Sequence, residues 1–240
     1  MFIGIGSVAN ALAIVAGGLI GMVAGRFLKE RFQETLLKIV GFAVITMAIG
    51  STMARMLVID VETATLDTQG IIMMSVSLAL GALIGEILNL HGLFERFGKF
   101  LRDKSGNEKD GKFIDAFVTA TLTVCVGAMA IMGSIQEGLS GDASILFSKA
   151  VLDFIIILIM ASSMGKGCIF SSIPVLILQG TVTILASFIA PVMTEAAISN
   201  LSLVGNVLIM CVGVNIVWPK TIRVANVLPA IVIAVVFAFI

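Results

Sequence analysis

The stretch "ILFSKAVLDFIIILIM", residues 145–160, is apolar enough to live in lipid, yet it carries Lys149 and Asp153. A spacing of four puts both on one face of a helix, close enough to pair. Carried on to about residue 164, the run approaches the roughly 20 residues that a helix needs to cross about 30 Å of hydrocarbon. The rest of the chain repeats this character. Of 240 residues 59% are hydrophobic and only 12% charged, and the mean hydropathy is +1.14. Such values lie outside the range of soluble domains. The fold class that follows is all-α, a polytopic transmembrane helix bundle. One integral membrane domain covers residues 1–240, with halves at 1–112 and 113–240 and no stretch left for a separate soluble domain.

Apolar windows give about eight spans, near residues 3–25, 36–54, 71–90, 113–133, 145–164, 168–189, 202–218 and 222–240. "GKG" and "PKT" are the only separators of the fifth from the sixth and of the seventh from the eighth, which predicts tight helical hairpins. The seventh window is the shortest and contains Asn206 and Asn215. The first apolar run begins at residue 2 without a basic leader and continues past signal-peptide length, so it is expected to stay as a span.

Basic loops are retained on the cytoplasmic side of a membrane. Thirteen of the fifteen basic residues fall on odd-numbered loops: Arg26, Lys29, Arg31 and Lys38; Arg96, Lys99, Arg102, Lys104, Lys109 and Lys112; Lys166; Lys220 and Arg223. Even-numbered loops hold Asp60, Glu62, Asp67, Glu137, Asp142 and Glu195, with Arg55 as their one basic residue. Both termini are therefore expected outside. Within the loop at 91–112, Leu93, Phe94, Phe97, Phe100 and Leu101 recur at helical spacing opposite Arg96, Lys99 and Arg102, the pattern of an interfacial amphipathic helix. The zero net charge and this positive-inside bias leave no nucleic-acid role for the basic residues.

Two-helix repeats are visible within the chain. "GGLIG" at 17–21 returns as "GALIG" at 81–85, "KERF" at 29–32 as "FERF" at 94–97, and "MAIGS" at 47–51 as "MAIMGS" at 129–134. Repeats of this kind are a common way to build transporters, and they equally suit a structural bundle. Gly17, Gly21 and Gly25, like Gly81 and Gly85, lie at the spacing that lets helices approach closely, which offers a packing face or a homo-oligomer face.

No P-loop, HExxH, GxSxG or carboxylate–histidine arrangement is present, so nothing names an enzyme. Cys125, Cys168 and Cys211 sit in separate apolar runs and read as small buried hydrophobes, and no cofactor or metal is expected. What remains is polar residues at membrane depth, which are costly and mark sites or paths. Entering from outside, Lys149 lies about 6 Å and Asp153 about 12 Å below the boundary. Lysine can snorkel outward; the shorter aspartate cannot. Gln179, near the midplane of the sixth span, and Asn10, in the outer third of the first, can converge on it. Gln136 and Glu137 occupy the outer mouth between the fourth and fifth spans. Glu86, Asn89 and Asn226 form a second group toward the cytoplasmic end. Pro174 and Pro229 fall inside the sixth and eighth spans, where a break frees carbonyl groups or is repaired by neighbouring helices.

"CVGAMAIMGSIQEGLSGDASILFSKAVLDF", then "SSIPVLILQG" and "VANVLPAIVIA", resemble the YdfK/YqgA-like bacterial membrane proteins, the domain-of-unknown-function family 554. The likeness covers essentially the whole chain. The family pattern carries the polar words with Gln136 and Glu137, Gly141 and Asp142, Lys149 and Asp153, Gln179 and Gly180, and Asn226 and Pro229. Phe154 departs from it, standing where that pattern has glycine. The resemblance implies a bacterial inner membrane, with the lipid bilayer as surroundings, and no assigned activity. Three function classes remain: a secondary transporter or ion-coupled carrier for a small polar solute or ion, a passive channel, and a non-transporting scaffold or regulator.

Overall fold

The computed structural model describes residues 3–60 and 65–240. Long helices dominate because apolar side chains leave the backbone of a lipid-facing segment nothing to bond but itself. In chain order they are α1 (Ile5–Phe27), α2 (Glu30–Met56), α3 (Ile71–Leu88), α4 (Leu90–Lys104), α5 (Phe113–Cys125), α6 (Ala128–Ser140), α7 (Ser144–Met164), α8 (Ser172–Ile184), α9 (Ala186–Ile189), α10 (Glu195–Val217) and α11 (Pro229–Val236). Among the described residues, six helical segments are long and apolar enough to cross a membrane, and a seventh span results if α5 and α6 count as one. The eighth place is taken by a shorter apolar helix over residues 224–239.

Several expectations change in detail. The fourth span is broken: α5 and α6 meet at 58°, at Gly127, whose φ of 150° is open to glycine and rarely to other residues. As a result α6 runs on to Ser140, and the "GSIQEGL" word is helical rather than a loop. The seventh span is not short; α10 has 23 residues, started by Thr194, whose hydroxyl accepts from the Ala197 amide. Asn215 does not weaken it but closes the next turn, donating to the Ile222 carbonyl and accepting from the Thr221 and Ile222 amides. Pro174 lies in the first turn of α8 and Pro229 at the first position of α11, each after a 3-10 segment. Neither proline therefore removes an interior helical bond. The second loop contains an unforeseen antiparallel ribbon, β1 (Leu57–Asp60) with β2 (Thr65–Thr68). Glu62, counted with the acidic outer-loop residues, lies outside the described residues.

Glycine contacts fix how the helices pack. A methyl group on Gly17, Gly21 or Gly25 would strike the backbone of Phe154, Leu158 or Ser162 respectively. The partners rise together, so α1 and α7 are parallel and touch backbone to backbone over two turns. Phe154 does not prevent this approach, because the small residue is supplied from α1. Gly81 and Gly85 meet Ala230 and Asn226 in descending order, so α3 and α11 are antiparallel. Both glycine faces are thus occupied within the chain, and an assembly through either would have to displace α7 or α11. α4 is the expected amphipathic helix. Its Phe97 ring meets Phe117 edge-on at 5.8 Å, while Leu93 and Phe100 remain exposed.

Candidate functional site

The parallel seating of α1 on α7 brings Asn10 to Asp153. Asn10 Nδ2 donates to Asp153 Oδ2 at 2.9 Å and to Gln179 Oε1 at 3.3 Å, joining α1, α7 and α8. Lys149 Nζ lies 2.6 Å from the same Asp153 oxygen, one helical turn away. Lys149 does not snorkel: it is 7% exposed, and Asp153 only 3%. Four of the residues singled out by depth therefore form one buried cluster.

Glu137 joins the same region from α6. It is fully buried, and its Oε1 accepts from the Gly6 amide at 2.6 Å, capping the first turn of α1 from another helix. It is no external-loop carboxylate, because the bend at Gly127 carries the end of α6 against α1 and α8. Gln136 goes elsewhere: its Nε2 donates to Asp142 beside the start of α7. Ser7, Thr121 and Thr183, not foreseen from the sequence, are buried near these groups or on the facing α5. Glu137 Oε2, Asn10 Oδ1, Gln179 Nε2, Ser7 Oγ, Thr121 Oγ1 and Thr183 Oγ1 lack hydrogen-bond partners among the described residues. Buried polar atoms are normally bonded, so this density of unmet groups is unusual. The structure has no group of three or more His, Cys, Asp or Glu suited to a metal ion among the described residues.

One turn further along each helix, Asn10, Asp153 and Gln179 each have an apolar neighbour. Ile14 follows Asn10, Ile157 follows Asp153, and Val175 precedes Gln179 on the oppositely running α8, all at a spacing of four. All three are fully buried and belong to one packed cluster with Val124 and Met160. A polar layer thus lies directly on an apolar layer. Beyond it, about 15 Å along α7 from Asp153, Ser163 and Met164 line a cavity of about 1020 Å³.

That cavity holds much of the second expected group. Glu86 and Asn89 line it, but Glu86 is exposed near the end of α3 and pairs with Arg223 at 3.4 Å. Asn89 is the junction of α3 and α4 at φ 49°, where its side chain accepts from the Gly92 amide. Asn226 is buried, accepts from the His91 amide at 2.6 Å and leaves its Nδ2 unpartnered. Asp115 and Lys220 face each other there at 3.0 Å. Glu86 and Asn89 thus line the cavity, whereas Asn226 lies behind it on the amide of the lining residue His91.

The protein-family model described as "Protein of unknown function (DUF554)" matches residues 5–239. The chain belongs to this family. It is 32% identical over 237 residues to the "Uncharacterized protein YqgA" of Escherichia coli (strain K12), covering 96% of this chain and 94% of that one. It is 28% identical over 235 residues to the "Uncharacterized membrane protein YdfK" of Bacillus subtilis (strain 168), covering 98% of this chain and 96% of that one. No solved structure matches. The chain is accordingly a multi-pass membrane protein of an uncharacterised family, as its helices and hydropathy also require.

Proposed function

We propose that this family member is a non-enzymatic, ion-coupled carrier for a small polar solute or ion. It would sit in the bacterial inner membrane with both termini outside. The observation that carries the reading is the stacking of layers. Asn10, Lys149, Asp153 and Gln179 are held at membrane depth, and Ile14, Ile157 and Val175 separate them from a cavity at the other end. A passive channel needs a continuous wet path; a carrier needs a site that is shut from at least one side. Asp153 is the coupling-ion or proton group, Lys149 its charge partner, and Gln179 and Asn10 the solute contacts. Glu137 belongs to the same site, and Gln136 acts at its outer rim. Glu86, Asn89 and Asn226 serve the inner cavity.

One feature favours a second reading: the Lys149–Asp153 pair is packed away, as a scaffold would have it. The unmet polar atoms around it support the carrier instead, because a purely structural pair gains nothing from them. The test is gradient-driven uptake of sodium, potassium and a panel of small zwitterions into proteoliposomes. Asp153→Asn is expected to abolish whatever flux the wild type shows. Flux unchanged in that variant refutes the assignment, and discrete single-molecule currents would establish the channel.

A further inference from the structure

The residues that carry orphaned atoms around Glu137 link into a ring through contacts and shared helix faces. Glu137 touches the Gly6 amide; Ser7 is the next residue, and Asn10 lies one turn further on α1. Asn10 bonds Gln179, which shares a face of α8 with Thr183, four residues on. The backbone carbonyl of Thr183 in turn lies against Gly138, beside Glu137. Within the ring Glu137 Oε2, Ser7 Oγ, Asn10 Oδ1 and Thr183 Oγ1 are buried without a partner, and all four are oxygens. The orientation of Asn10 is not free: a carboxylate only accepts, so its NH2 must face Asp153 and its Oδ1 must face away. Gln179 Nε2, an orphaned amide nitrogen that can only donate, takes no part in holding a cation.

Charge points the same way. Asp153 is matched by Lys149, whereas Glu137 has no ion-pair partner among the described residues. The α1 N-terminus supplies only about half a charge. Besides Glu137, α6 has no titratable group, nor do α8, α9 or the first five turns of α1; α7 brings Lys149 and Asp153, and α10 brings Glu195 at its start. Among the described residues one positive charge is lacking beside Glu137, and hard oxygen donors suit an alkali cation rather than a transition metal. We propose that Ser7, Asn10, Glu137 and Thr183 bind a dehydrated monovalent cation of the sodium or potassium class, with Glu137 as its counter-charge. This deepens the carrier reading by naming its coupling ion and moving that ion's seat from Asp153 to Glu137.

The experiment is thermal unfolding of the purified full chain in detergent, with choline chloride replaced by sodium or potassium chloride at constant ionic strength. A saturable, cation-specific rise in midpoint is expected. Glu137→Gln should lose it. Ser7→Ala and Thr183→Val keep the carboxylate that caps α1, and each should raise the half-saturating concentration roughly ten-fold. The proposal is overturned if no cation-specific shift occurs or if these variants retain it in full. It is also overturned if acidification in choline reproduces the whole effect, since a proton then supplies the charge. Should Glu137→Gln fail to fold, Thr183→Val decides. Cation binding without flux would sink the carrier reading alone; flux without cation-specific binding would sink this inference alone.

Discussion

The Lys149–Asp153 pair permits a quantitative test of what it contributes. Its atoms are 2.6 Å apart, and the side chains are 9% and 5% exposed. Removing one partner from such a pair leaves an uncompensated charge in a poorly solvated place, at a cost of about 3–5 kcal/mol. Lys149→Met strands the aspartate with only Asn10; Asp153→Leu strands the ammonium. If the two costs were independent, the double variant would lose about 6–10 kcal/mol. Replacing both charges with apolar groups of similar volume removes the desolvation penalty along with the attraction. Asn10 then lacks its carboxylate but keeps Gln179, adding about 1–3 kcal/mol. The double variant is therefore expected to be more stable than either single one, with a coupling of about 3 kcal/mol or more. At about 2–4 °C per kcal/mol for a chain of this size, each single variant should unfold about 6–20 °C lower. Thermal unfolding in detergent micelles measures this, and additivity of the two losses would refute the reasoning. A folded double variant that still carries flux would remove the pair from the proposed site.

Three further outcomes are expected. Gly21→Ala drives a methyl group into the Leu158 backbone and should cost about 2–3 kcal/mol, whereas Gly50→Ala, with open space around it, should be neutral or slightly stabilising in the same unfolding assay. Asp142 accepts from the Ser144 amide at 2.9 Å and from Gln136, which hold its carboxyl below the usual range. Its ordering of the α7 start is therefore complete above the ordinary carboxylate pKa of about 3.9 and lost as pH falls through the lowered value. The Ser144 amide shift should report a midpoint below that figure, and a midpoint at or above it would contradict the geometry. Ser105→Cys in the exposed turn after α4 should react with an impermeant maleimide in inverted vesicles and not in intact cells; the reverse would invert the topology.

How far the sequence disclosed this arrangement depends on the physical signal each residue leaves. A charge in an apolar run is conspicuous, so Asp153 and Lys149 stand out, and an amide in such a run is nearly so, which exposes Asn10 and Gln179. Glycines every fourth residue announce close packing, though the identity of the partner helix is a tertiary fact. Ser7 and Thr183 leave no comparable mark, because hydroxyls in apolar helices commonly bond their own backbone and cost little. Glu137 misleads for a different reason. Its word is rich in glycine and polar residues, which reads as loop, and the bend that buries it turns on Gly127, one glycine among 24. The ribbon of residues 57–60 and 65–68 is likewise short enough that its β-branched residues give no decisive period.

The layers also constrain how the polar cluster could open toward the cavity. α1 and α7 touch backbone to backbone at Gly17, Gly21 and Gly25, so separating them would break contacts along most of both helices. Packed interfaces of this kind switch as units rather than deform gradually. Asn10, Lys149 and Asp153, all on that pair, therefore move together. Val175 and Val124 reach the apolar layer from α8 and α5. α8 follows a 3-10 segment at the cavity end, and α5 ends near the bend at Gly127. Both changes of helical geometry fall beside the apolar layer and neither within the α1–α7 pair. On the carrier reading, access from the cavity would have α5 and α8 swing away from a fixed α1–α7 unit, and such a motion would part Gln179 from Asn10 while leaving Lys149 on Asp153.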